Sequence, residues 1–229
     1  TMLQLLQMSD GYEPPLTAPP PGPPDPGGPE MVAVGGGTVA VGAPSDGFAY
    51  DNERPRHDVE VAPFLIDRLP VTNAGYESFV AATGAEPPLF WERDGDGWVS
   101  TTFGRAEALD LPTELEWELA ATGADPGSAN LDHDAFGCRA PGPEGRSACG
   151  AQGMFGDAWE WTSSSFAPYP GFRAFPYREY SEVFFARGYP VLRGGSWATR
   201  RDVIRPSFRN WDLPERRQIF AGLRCAEDA

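Results

Sequence analysis

The chain has 229 residues and a formal net charge of −15, from 33 acidic against 18 basic side chains. That balance argues against a nonspecific binder of nucleic acid or of an anionic membrane, both of which are drawn by basic patches. No apolar run approaches the roughly 20 residues needed to span a bilayer, and Cys138, Cys149 and Cys225 lack the CxxC spacing of a zinc knuckle or the even count of a disulfide scaffold.

A reducing cytoplasm is therefore the expected compartment. With 27 Gly, 25 Pro and 7 Trp, the composition predicts irregular loops held by aromatic packing rather than long helices. The first residues, "TMLQLLQM", are strong helix formers without a preceding N-cap. They read either as the tail of a helix that begins upstream or as a short frayed end. "EPPLTAPPPGPPDPGGPE" then predicts an extended, partly polyproline II linker, with a proline-rich ligand for an SH3-type domain as the lesser alternative. The expected organisation is a helix end over 1–13, a linker over 14–30 and one domain over 31–229.

From Met31 the pattern changes to short apolar runs punctuated by Gly and Pro. "MVAVGGGTVAVG" and "HDVEVAPFLIDRLPVT" alternate like half-buried strands. "TNAGYESFVAAT" places Tyr76, Phe79 and Val80 at helical spacing behind a Thr72/Asn73 cap, and "LPTELEWELAAT" opens with a Thr113/Glu116 capping box. Only these two short helices are predicted within the domain. Beyond Ala121 the chain reads as loop, with brief strands at "GDAWEWTSS", "YPVLRGGSWA" and "AGLRCAE". The glycines at 35–37 lack the following helix and the lysine of a phosphate-binding loop.

Residues able to carry chemistry are sparse. The two histidines, His57 and His133, are far apart and flanked by acids, so each reads as a hydrogen-bonded loop residue, and no cluster within the chain holds iron, zinc or copper. Ser163, Ser164, Ser165 and Ser196 have no nearby histidine base, and Cys225 falls in an expected closing strand where burial is its role. "FRAFPYREYSEVFF" sets Tyr177 and Tyr180 in a segment too rich in Pro and aromatics for an ordinary helix. A phenol can deliver a proton or hydrogen atom to a reacting oxygen species, or pack its ring on a cation, yet residue type alone favours core packing with a satisfied hydroxyl. "FRNWDLPERRQIFAGLRC" leaves two readings. One is a clamp for a zwitterion, with Trp211 facing a quaternary ammonium, Asp212 an amine and Arg216 a carboxylate. The other, which composition favours, is an internal salt-bridge net among Asp212, Glu215, Arg216 and Arg217.

Four stretches taken in order, "DNERPRHDVEVAPFLIDRLPVTNAGYESFV", "LPTELEWE", "GMFGDAWEWTSS" and "VLRGGSWATRRDVIRPSFRNWDLPERRQIFAGLRCA", resemble the formylglycine-generating-enzyme, or sulfatase-modifying-factor, family. The resemblance covers most of the chain from Met31 and implies an α+β fold, irregular and loop-rich, C-type-lectin-like, with short strands and few helices. Formylglycine-generating enzymes use a pair of copper-binding cysteines, and Asn210 stands where one thiol is expected, which disfavours that activity. "PYPGFRAFPYREYSEVFF" and "FRNWDLPERRQIFAG" instead resemble the C-terminal domain of the sulfoxide synthases of ergothioneine biosynthesis, the hercynine oxygenases. Those are non-haem iron(II), O2-dependent enzymes that join the imidazole C2 of trimethylhistidine (hercynine) to the sulfur of gamma-glutamylcysteine or cysteine.

That resemblance implies Tyr177 as the catalytic tyrosine, which directs turnover to sulfoxide rather than to thiol dioxygenation. It implies Tyr180, Asn210 and Trp211 as the lining of the trimethylhistidine pocket, and Asp212 and Arg216 as the holders of the thiol substrate, with gamma-glutamylcysteine favoured over cysteine. Fe(II) is expected on three histidines of an N-terminal DinB-like helical domain absent from this chain, so the isolated chain is expected to be inactive, and a monomer suffices. The chain is also shorter than the family pattern between Ala82 and Trp91, between Gly104 and Leu111, and after Ala121, where loss of a helix would expose part of the core. A noncatalytic ligand- or partner-binding module on the same fold is the alternative from a different class, and a formylglycine-generating oxidase the weaker one.

Overall fold

The computed structural model describes residues 31–87, 91–94, 97–100, 111–139, 141–216 and 218–229. The expected helix end over 1–13, the linker over 14–30 and the shortened stretch between Gly104 and Leu111 lie outside the described residues.

Strands β1 (Met31–Val34), β2 (Gly37–Val41), β3 (His57–Val61) and β4 (Phe64–Asp67) come first, followed by helix α1 (Asn73–Thr83). The hairpin β5 (Trp91–Asp94) and β6 (Gly97–Ser100) precedes helix α2 (Glu114–Ala120), and β7 (Trp159–Ser165), β8 (Pro190–Arg193), β9 (Asn210–Trp211), β10 (Ala221–Leu223) and β11 (Ala226–Asp228) follow. This is the irregular α+β architecture expected from the sequence, with two α-helices among the described residues.

One sheet has the order β1-β4-β11, all antiparallel, with Val34 opposite Phe64 and Ala226 opposite Ile66. A second has the order β10-β7-β8-β9, in which β10 runs parallel to β7. The two helices form for the reasons their caps imply. Thr72 Oγ1 accepts from Gly75 N at 3.2 Å and Gly84, at φ 69°, ends α1 in the left-handed conformation. At α2, Glu116 N donates to Thr113 Oγ1 at 3.2 Å while Thr113 N donates to Glu116 Oε2 at 2.7 Å.

Helix α2 then places Trp117, fully buried, in a core with Phe64, Ile66, Leu131, Met154 and Phe155. The indole Nε1 donates to Glu160 Oε2 at 2.7 Å, and Glu160 in turn accepts from both Arg224 Nε at 2.9 Å and Arg224 Nη2 at 2.8 Å. Arg193, Arg209 and Arg224 are all buried, so the short strands are stapled to the loops by paired guanidinium groups as well as by apolar contact. Cys225 is buried between β10 and β11, where its N–H donates to Asp67 Oδ2 at 2.9 Å.

Candidate functional site

The site is organised by a turn of 3-10 helix, Asp51–Glu53, whose three polar side chains are all buried. Burying them unpaired would be costly, and each side chain is hydrogen-bonded to a distant part of the chain, although Asn52 Oδ1 has no partner among the described residues. Asp51 Oδ1 accepts from Ser181 Oγ at 2.6 Å, and its Oδ2 accepts from Phe175 N at 3.3 Å. Asn52 Nδ2 donates to Ser181 Oγ at 3.1 Å, and the Asn52 carbonyl accepts from Arg209 Nη1 at 2.7 Å. Glu53 accepts from Arg205 Nε at 2.7 Å and Ser207 Oγ at 2.8 Å, with a further contact from Arg205 Nη2. One turn therefore fixes the loop around residues 175–181 and the segment 205–209 that leads into β9.

Between the two anchors at 175 and 181 the chain bulges outward. Tyr177 is 57% exposed and Tyr180 42% exposed, and neither hydroxyl is hydrogen-bonded among the described residues. Residue type alone favoured core packing here; the structure instead presents both phenols to solvent, because the buried polar anchors hold the loop ends while the rings between them point away. The two rings meet edge to face at 5.7 Å, and Tyr180 continues onto Tyr50 at 6.1 Å and Tyr50 onto Phe208 at 5.7 Å. Burial first, then the neighbouring Tyr180 phenol, raises the Tyr50 phenol above its ordinary value.

Strand β9 carries the second group of residues. Asn210 pairs with Leu192 and Trp211 with Val191 through the sheet. The Trp211 indole stacks on Phe166 with ring centres 3.9 Å apart and planes 10° from parallel, and meets Phe184 at 5.4 Å. Phe184 belongs to the turn just after Tyr180, so the tyrosine loop and β9 adjoin. Asp212 and Arg216 are brought together: Arg216 Nη1 lies 3.5 Å from Asp212 Oδ1, which also accepts from Leu213 N at 2.8 Å. Part of the expected salt-bridge net thus exists, while Arg217 lies outside the described residues. A cleft of about 430 Å³ flanks the loop, lined by Tyr169, Phe172, Glu182 and Phe185. A smaller one of about 170 Å³, around Arg139, Glu144 and Asp157, contains none of the residues implicated above.

A charged floor lies beneath β9. Glu114 accepts from Arg193 Nη2 at 2.9 Å and from Arg209 Nε and Nη2, both at 2.8 Å, while Glu118 accepts from Arg193 Nη2 at 3.0 Å and from Gly42 N at 2.9 Å. Tyr169 covers this network; burial raises its phenol far above the ordinary range although Arg193 works in the opposite sense. Burial acts to lower the Arg193 value, but Tyr169, Glu118 and Glu114 outweigh it and fix the guanidinium in its charged form. The Arg209 guanidinium also sits over Tyr169 at 4.2 Å and Phe166 at 4.9 Å.

The two histidines are separate and occupied. His57 Nδ1 lies 3.1 Å from the Pro55 carbonyl with its ring 4.7 Å from Tyr169, and the His133 ring packs edge-on to Trp197 at 5.6 Å. Among the described residues no three His, Cys, Asp or Glu side chains are grouped to hold a metal ion. The iron that the sequence resemblance implies is therefore not fitted by this donor set.

Short sheets, two small helices and a polar turn that holds a tyrosine loop near a two-residue strand agree with the irregular α+β fold expected of the sulfatase-modifying-factor family. The chain belongs to that family: its model, described as the sulfatase-modifying factor enzyme 1-like domain, matches residues 18–108 and 97–229. Within it, the chain is similar to a protein named hercynine oxygenase from Mycolicibacterium thermoresistibile, 41% identical over 296 residues that cover 100% of this chain and 66% of the relative. A protein of the same name from Mycolicibacterium smegmatis is 38% identical over 298 residues, covering 100% of this chain and 68% of the relative. The chain thus spans about two thirds of the length of these relatives, and the aligned stretches exceed its own 229 residues because they include residues of the relatives that have no counterpart in this sequence. A solved structure, PvdO from Pseudomonas aeruginosa, shares the fold at TM-score 0.64 and 21% identity, covering 88% of this chain and 95% of that one.

Sequence reasoning missed Tyr50, Asp51 and Ser181. The "DNE" triplet is visible in the sequence as part of a family signature, but nothing in it shows that its side chains fold inward to reach residues more than a hundred positions away.

Proposed function

We propose that the chain is the substrate-binding part of a hercynine oxygenase of ergothioneine biosynthesis, an O2-dependent sulfoxide synthase that joins trimethylhistidine to gamma-glutamylcysteine. The similarity to proteins named hercynine oxygenase supports the reaction class. The single structural observation that carries the reading is the exposed Tyr177/Tyr180 pair on a loop whose following turn packs Phe184 on Trp211.

In this reading Tyr180, Asn210 and Trp211 receive the trimethylammonium group and imidazole of the first substrate. The available indole and phenol surfaces suit a cation too diffuse to be hydrogen-bonded. Asp212 and Arg216 take the ammonium and carboxylate of the thiol substrate by exchanging their mutual ion pair for contacts of the same kind. A partly exposed pair of this sort is worth no more than about 1 kcal/mol, so opening it is easy. Tyr177, with a free hydroxyl, holds the proton delivered during C–S bond formation. The Fe(II) and O2 chemistry is supplied by ligands other than the described residues, in this reading three histidines of a DinB-like domain, and a monomer in the cytoplasm suffices. No helix among the described residues is long and apolar enough to cross a membrane.

Tyr177→Phe in the protein carrying that domain tests the assignment. Substrate KM values are expected to stay within about twofold while product moves from sulfoxide to oxidised thiol. Unchanged sulfoxide output would remove Tyr177 from the role. The Asp212 and Arg216 ion pair favours one second reading, a noncatalytic binding module in which that contact is permanent. Absence of product from the folded, assembled protein would select it.

A further inference from the structure

We infer that Asp51 and Ser181 are positioning residues for Tyr177, forming a buried clasp that fixes both ends of the loop on which the tyrosine is carried. The inference rests on the role proposed for Tyr177. Its basis is the contrast between the loop's anchors and its crown. Ser181 is fully buried and Asp51 is 7% exposed, whereas Phe175 and Tyr177 are 76% and 57% exposed. A loop with so little apolar burial opens readily unless something else ties it down.

The Asp51 carboxylate supplies the tie at both ends. It accepts from Ser181 Oγ at 2.6 Å on the C-terminal side of the tyrosine and from Phe175 N at 3.3 Å on the N-terminal side. Asp51 has no cationic partner among the described residues, so its buried charge is satisfied through these hydrogen bonds, which a charged acceptor makes stronger than neutral ones. The next two residues of the same turn hold the other half of the site, through the Asn52 carbonyl on Arg209 and the Glu53 carboxylate on Arg205 and Ser207. Asp51 therefore sets the tyrosine loop relative to Asn210 and Trp211, and does not merely stabilise the loop.

Two variants change few atoms. Ser181→Ala removes one oxygen. Asp51→Asn is isosteric but removes the charge that strengthens both bonds, and with its oxygen kept on Phe175 N its N–H₂ forces the Ser181 hydroxyl to accept instead of donate. Both are made in the protein carrying the iron-binding domain, beside Tyr177→Phe. The first readout is the ratio of sulfoxide to oxidised thiol by mass spectrometry, which does not depend on how much enzyme is folded. The second is hydrogen exchange of residues 174–181.

A displacement of the phenol by about 1 Å can cost as much as a hundredfold in the step it serves. The ratio is therefore expected to fall by about tenfold or more in each variant, with both KM values within about twofold. Exchange is expected to rise in 174–181 and to stay unchanged in β1, β4 and β11. An unchanged ratio in both variants overturns the inference, whether or not exchange rises, provided Tyr177→Phe shifts it. If Tyr177→Phe leaves the ratio unchanged as well, the tyrosine assignment fails first and the clasp loses its function with it.

Discussion

Glu114→Gln removes one charge from the floor beneath β9 and leaves its shape almost intact. Glu114 is 6% exposed and faces two guanidinium groups, those of Arg193 and Arg209, which are 0% and 2% exposed. An amide cannot satisfy both in either orientation. With its oxygen at the Oε2 position it still accepts from Arg193 Nη2 and Arg209 Nε, but its N–H₂ then meets Arg209 Nη2, 2.8 Å from the present Oε1. Turned over, it opposes two donors instead of one. Arg193 would keep Glu118, but Arg209 would be left with only the Asn52 and Ala167 carbonyls as acceptors besides the amide. Removing one partner from a buried ion pair costs about 3–5 kcal/mol, because the other charge stays buried and uncompensated. Set against a typical domain stability of about 5–15 kcal/mol, that is a large share. For a chain of this size it corresponds to a fall in Tm of very roughly 6–20 °C. The assay is urea unfolding followed by tryptophan fluorescence, with Glu77→Gln on the exposed face of α1 as a control expected to shift stability by less than about 0.5 kcal/mol. A loss under about 1 kcal/mol for Glu114→Gln would refute the view that the buried charges, rather than apolar contact alone, hold β9 in place.

Two further perturbations test other parts of the molecule. Burial raises the Asp157 carboxyl above its ordinary value of 3.8, against the opposing hydrogen bonds from Arg139 N at 2.7 Å and Asn130 Nδ2 at 2.8 Å and the Arg139 charge. A carboxyl raised in the folded state contributes stability below its unfolded value that is lost as pH rises through the folded one. Asp157→Asn keeps an acceptor for both donors and never ionises, so its stability relative to the native chain should increase as pH rises above about 4. A relative stability that falls as pH rises above about 4 in urea titrations would contradict the sign. Gly156→Ala should cost roughly 3 kcal/mol, because a Cβ there lies 2.4 Å from the Asn130 carbonyl on top of a φ of 78°. Gly137→Ala, at φ 95° but with no atom within 4 Å of its Cβ, should cost only about 1 kcal/mol; equal losses in thermal unfolding would refute the close-contact argument.

The parts of the fold legible in the sequence are those determined locally. The Thr72 cap and the Thr113/Glu116 box identify both helices, and period-2 alternation identifies β1 to β4, since these signals lie within a few neighbouring residues. The pairing of β5 with β6 is absent from the sequence expectations, although the sequence Asp-Gly-Asp-Gly at 94–97 is a turn signal. Strand β9 is two residues long and exists because β8 offers it an edge, which no periodicity can reveal. The same division holds for the site. Motif resemblance nominates Tyr177, Tyr180, Asn210, Trp211, Asp212 and Arg216, and the structure brings them onto two adjoining segments. What makes them adjoin is the Asp51–Glu53 turn, acting over separations of 124 to 154 residues through Phe175, Ser181, Arg205 and Ser207. Such long-range polar contacts leave no spacing in the sequence.

The most direct test of the account is mass-spectrometric detection of the C–S coupled sulfoxide. The chain is incubated with Fe(II), O2, trimethylhistidine and gamma-glutamylcysteine, alone and with a helical domain that carries the histidine ligands. Sulfoxide formed only in the combined mixture is the predicted result. No sulfoxide from a mixture in which both parts are shown to be folded and associated would contradict it and leave a binding module in its place.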